Sequence, residues 1–78
     1  MTEFENLKRR YAATVQFGLS LNIGLNEAKH GNELLHELCK QLVEHSGYMD
    51  REKVAMKQEL ELLKEALAGE IETYYRQR

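Results

Sequence analysis

The chain has 78 residues, 42% of them hydrophobic and 31% charged, with a net charge of -2, three histidines, one cysteine and no proline. At 9.1 kDa a compact monomer would expose roughly 4,900 Å² and bury about 60% of its unfolded surface, so one small domain fits and a partner subunit is an expected source of stability. The balance argues against disorder, an intrachain disulfide, a membrane-spanning run of roughly 20 apolar residues, and a global electrostatic pull toward nucleic acid or anionic lipid.

Leucine, alanine, glutamate and lysine dominate, valine and isoleucine are scarce, and no stretch alternates with period two. The expected fold class is therefore all-α, a three-helix antiparallel bundle or helical hairpin over residues 1–78, assembling as a dimeric helical bundle. The first helix is expected over about 3–23, opening after Thr2, which is spaced from Glu5 for reciprocal capping. Phe4, Leu7, Tyr11, Val15 and Leu19 recur every three or four residues and make one apolar stripe. Phe17, Leu21 and Leu25 fall on another face, so the later half of this helix is apolar nearly all round. The sixteen residues from Tyr11 to Asn26 carry no charge; too short and too polar to span a bilayer, they belong in a core or an interface. Gly18 and Gly24 within them weaken a helix unless packing needs a close approach.

A turn is expected between Asn22 and Asn32, with Asn26 or Asn32 as the cap of a second helix over about 27–46. That helix would carry Leu34, Leu35, Leu38, Leu42 and Val43 inward and stop at Gly47. Asp50 would cap a third helix over about 50–76. Its Met56, Leu60, Leu63, Leu67, Ile71 and Tyr74 are spaced four, three, four, four and three apart, close to a coiled-coil seam. Lys57 with Glu61 and Glu72 with Arg76 lie four apart and would pair on its outer face. The third helix is longer than the second, so the first helix or a second copy must cover its far end; the small core favours a homodimer.

The sharpest chemical pattern is a pair of Glu-x-x-His spacings, Glu27 with His30 and Glu33 with His36. This i,i+3 arrangement is the one that carboxylate-bridged di-iron bundles project inward. Gly31 interrupts the two pairs, and with 13 acids in the chain such spacings arise easily on an ordinary surface; no metal or cofactor is expected. A zinc variant would join His36 and Cys39 with His30 or His45, but there is no second thiol and no Cys-x-x-Cys. Cys39, one turn from His36 among leucines, reads as a packing residue rather than an activated nucleophile. Neither a Walker loop nor Gly-x-Gly-x-x-Gly occurs. The basic run Lys8-Arg9-Arg10 beside Tyr11 is the one candidate for phosphate contact, although three consecutive helical charges point in three directions.

The functional expectation is a non-enzymatic helical interaction, adaptor or regulatory protein acting through an apolar helix face. Tyr11, Val15, Phe17, Leu21 and Leu25 are the candidate association residues, with Tyr74 and Tyr75 as a second aromatic patch. A metal-binding bundle using Glu27, His30, Glu33 and His36 is one alternative, and a small nucleic-acid-associated regulator using Lys8, Arg9 and Arg10 is another. The N-terminal residues lack the basic-then-apolar order of a secretory signal, and a lone thiol suits a reducing compartment, so a cytoplasmic location is expected.

Overall fold

A computed structural model describes residues 2–77. Three helices follow one another, α1 (Glu3–Ser20), α2 (Leu25–His45) and α3 (Asp50–Arg76), and all three pack together as a three-helix bundle with no strand among the described residues. Cross-helix pairs fix the directions. His36 meets Glu61, Lys29 meets Glu72, and Lys57 meets Glu44, so α2 and α3 run antiparallel. Lys8 meets Glu59 and Gln16 meets Glu70, so α1 and α3 run parallel. The bundle measures 44 × 18 × 18 Å, its length set by the 27 residues of α3 at about 1.5 Å each.

Helix ends follow local chemistry. The Thr2 hydroxyl accepts the Glu5 N–H at 3.1 Å, satisfying one of the free N–H groups that open α1, and two early glutamates lie at its positive end. The first turn falls at the start of the expected stretch. Asn22 adopts a left-handed φ of 60°, a conformation asparagine tolerates better than most residues, and Gly24 caps α2. Asn26 and Asn32 therefore lie inside α2 rather than at its start. An added Cβ at Gly18 would lie 3.4 Å from the tip of the Ile23 side chain, an ordinary contact distance, so the packing there does not require glycine. At the second turn Gly47 takes φ 76°, the left-handed stop expected of it. Met49, not Asp50, is the N-cap of α3, and the Glu52 carboxylate accepts the Met49 N–H at 3.3 Å.

The core is built from Phe4, Tyr11, Val15 and Leu19 of α1, Ala28, Cys39 and Val43 of α2, and Leu60, Leu67 and Ile71 of α3. The α3 seam lies where its spacing puts it, with Met56, Leu63 and Tyr74 half-buried beside the three fully enclosed residues. Val43, Leu60 and Ile71 are completely enclosed, each stabilising the fold by about 1.5–3 kcal/mol of apolar transfer. The α2 face is the main departure from expectation. Of Leu34, Leu35, Leu38, Leu42 and Val43, only Val43 is buried and Leu35 half-buried; Leu34, Leu38 and Leu42 are exposed. Their inward places are taken by Ala28, Asn32, His36, Cys39 and Val43, spaced four, four, three and four. The α3 charges also differ from expectation, because Lys57 and Glu72 each reach across to α2, bonding Glu44 and Lys29, rather than pairing along their own helix.

Candidate interaction surface

Two side chains decide how α2 is oriented, and both are polar. Asn32 is 2% exposed and His36 is 1% exposed, so each needs partners inside the bundle. Asn32 finds them on both neighbouring helices. The Tyr11 hydroxyl lies 2.8 Å from the Asn32 carbonyl and 2.6 Å from its Oδ1, and the Asn32 amide donates to the Lys64 carbonyl at 3.1 Å. One proton on Tyr11 is thus shared between two acceptors, and the amide group is left to serve as donor to α3. Burial pushes the Tyr11 phenol well above its ordinary range, with minor contributions from Cys39 and Glu61.

His36 uses Nε2 to contact Glu61 Oε1 at 2.8 Å, and Lys40 reaches the same oxygen at 2.6 Å. The carboxylate accepts, so Nε2 carries the proton in this contact. The Lys40 ammonium, then the His36 ring, hold the Glu61 carboxyl down at about 2. His36 Nδ1 is buried without a hydrogen-bond partner, as is the Tyr75 hydroxyl. Cys39 lies 4% exposed on the same face, and burial raises its thiol above the usual range. A neutral, enclosed thiol packs as a small apolar side chain.

The remaining candidates are dispersed. Glu27, His30 and Glu33 are exposed on α2 while His36 is enclosed, and no three histidine, cysteine, aspartate or glutamate side chains among the described residues converge as a metal site. His45 is exposed at the far end of α2, away from the buried Cys39. The basic run is divided: Lys8 bridges Glu5 at 3.1 Å and Glu59 at 3.0 Å with its ammonium 5.0 Å from the Phe4 ring centre, whereas Arg9 and Arg10 are exposed. Those two glutamates raise the Lys8 ammonium above its ordinary range, Glu59 more than Glu5. Tyr74 and Tyr75 stack edge-on, with ring centres 5.2 Å apart, and pack half-buried on the core. Their patch is partly occupied within the chain.

With Asn32 and His36 turned inward, Leu34, Leu38 and Leu42 of α2 are turned out. Among the described residues the large exposed apolar side chains are Phe17, Leu21, Leu34, Leu38, Leu42, Met49, Val54 and Leu62, and the first five of these belong to α1, its C-cap and α2. Two clefts along the α1–α2 seam tie Phe17, Leu21, Leu38 and Leu42 into one face, and Leu34 lines neither. The first, about 250 Å³, includes Phe17, Gly18, Leu21, Ile23, Gly31 and Leu35 in its lining. The second, about 120 Å³, includes Leu7, Arg10, Thr14, Leu35, Leu38 and Leu42. Leu7, Arg10, Thr14, Phe17 and Leu21 follow one another at three- and four-residue steps, as do Gly31, Leu35, Leu38 and Leu42. Each set therefore forms a stripe along its helix, with Arg10 the one charged residue among them.

Of the association residues expected from the sequence, Phe17 and Leu21 stand on this face, at 63% and 60% exposure. Tyr11 and Val15 lie in the core of the single chain, and Leu25 packs half-buried against it. Leu38 and Leu42 belong to the face, and Leu34 is exposed elsewhere on α2, although the periodicity of α2 pointed all three inward. The signal that could have found them was the rival stripe Ala28, Asn32, His36, Cys39 and Val43, whose two polar members disguised it as a surface. No described helix is long and apolar enough to cross a membrane. No family model, curated protein or solved structure matches this chain.

Proposed function

We propose that this is a non-enzymatic helical interaction protein of the adaptor or regulatory kind, whose working surface is the apolar α1–α2 face. The observation that carries this reading is the exposure of Phe17, Leu21, Leu38 and Leu42 along the two clefts where α1 and α2 adjoin. Contiguous apolar surface of this kind favours burial against another protein, and two adjoining helices with a groove between them suit a helical partner. Self-association as a homodimer is the simplest form of that activity. The enclosed, un-ionised Cys39 thiol suits a reducing compartment such as the cytoplasm.

A photo-crosslinking amino acid tests the reading when placed in turn at position 38, on the face, and at position 62, an exposed leucine of α3. The expected result in cells is a discrete protein adduct from position 38 and none from position 62. No adduct from either position, or the same adducts from both, contradicts the reading.

A further inference from the structure

Resting on that reading, we infer that the occupant of the α1–α2 face is a second copy of this chain, packed isologously so that α1 and α2 of both copies form a four-helix layer with the two α3 helices outside. Area supports this first. The chain exposes 5525 Å², which exceeds the roughly 4,900 Å² of a compact monomer of this mass by roughly 600 Å². A standard protein interface removes about 800 Å² from each partner. The excess exposure, which belongs to the whole elongated chain, is about three quarters of what one standard interface removes.

Shape and charge support it next. The face offers both parts of a contact, a projecting aromatic in Phe17 at 63% exposure and an apolar cleft of about 250 Å³ beside it. Gly31 keeps that cleft open, since nothing lies within 4 Å of where its Cβ would stand. A two-fold arrangement presents each copy with the other's projections and clefts, as an isologous contact requires. Its charges are also compatible with self-pairing. Arg10 is the one basic residue on the face, and Glu3 shares with it a cleft at the Leu7 and Leu42 end, so each copy brings both signs. A partner of strong single charge finds no complementary surface there.

Light scattering coupled to size exclusion, over a wide concentration range, tests the inference on the wild-type chain and on Leu38→Glu, Leu42→Glu and Leu62→Glu, with circular dichroism confirming helix content. The expected result is a wild-type mass of two chains, retained by Leu62→Glu and halved in Leu38→Glu and Leu42→Glu while all remain helical. If either face variant unfolds, the other provides the same readout. A wild-type mass of one chain at every concentration overturns the inference but leaves the heterologous form of the interaction reading standing. A two-chain mass that persists in both folded face variants overturns the inference and the choice of face together.

Discussion

On α2 the enclosed stripe includes polar residues, and leucines stand exposed among the charged and polar residues of its outer surface, such as Glu27, Glu33, Glu37 and Glu44. The enclosed stripe carries an asparagine and a histidine, each almost fully buried, together with Ala28, Cys39 and Val43; the outer surface carries Leu34, Leu38 and Leu42 at 57%, 52% and 45% exposure. Burying three leucines would have been the larger hydrophobic gain. The observed choice holds because Asn32 ties α2 to Tyr11 and to the Lys64 carbonyl, and His36 ties it to Glu61, so rotating the helix would strand these polar groups. Polar groups in a core thus fix which way a helix faces, and the leucines turned outward are available for a contact made by another surface.

The comparison can be broken most severely from the inside. Leu60 is fully enclosed whereas Leu62, two residues on, is 67% exposed. Leu60→Ala is expected to destabilise the chain by about 2–5 kcal/mol, while Leu62→Ala stays within about 0.5 kcal/mol. Denaturant titration of both variants at one low protein concentration checks this. Comparable costs would mean that α3 is rotated from the orientation described.

The polar layer gives the next effect. Tyr11→Phe removes the hydroxyl that contacts both Asn32 oxygens and leaves the buried Asn32 Oδ1 without that donor, at an expected cost of about 1–3 kcal/mol. A cost near zero in the same titration would show that the layer does not hold α2. Gly31→Ala is expected to act in the opposite direction on folding. Gly31 lies inside α2 with open space around its Cβ position, so alanine should stabilise the monomer by about 0.5–1 kcal/mol through helix propensity. It also narrows the cleft, so association should weaken while folding strengthens. Parallel movement of the two would remove Gly31 from the contact.

The acid limb of stability supplies the mildest test. Lys40 and His36 hold the folded Glu61 carboxyl near 2, below its ordinary value of 4.5. A depressed folded value means that the stabilisation is present above about 4.5 and is lost as pH falls toward 2. Denaturation midpoints followed over that window should therefore drop less steeply in Glu61→Gln than in the wild type. Identical slopes would remove Glu61 as a contributor.

Helix number, type and most boundaries were legible in the sequence because they depend on local signals. Thr2 capping, the Gly47 stop, the absence of proline and the Leu60, Leu67, Ile71 seam all act within a few residues of themselves. The end of α1 was less legible, because apolar periodicity continues past the turn at Asn22 to Gly24 and only the left-handed Asn22 reveals the break. The apolar α1–α2 face was half legible. Phe17 and Leu21 stood out as surplus apolar residues, whereas Leu38 and Leu42, with Leu34, were assigned to the core on hydrophobicity alone. What reversed that assignment is tertiary: Asn32 and His36 acquire partners 32 and 25 residues away, a distance over which helical periodicity carries no information. The cross-helix pairing of Lys57 with Glu44 and Lys29 with Glu72 was hidden for the same reason.

The most direct measurement of the central claim is the solvent accessibility of individual leucine methyls, read by NMR from their relaxation by a dissolved paramagnetic agent as the protein is concentrated. Leu60 should be protected throughout and Leu62 accessible throughout. Leu38 and Leu42 should pass from accessible in dilute solution to protected in concentrated solution. If those two remain as accessible as Leu62 at every concentration, the α1–α2 face is not covered by a second copy.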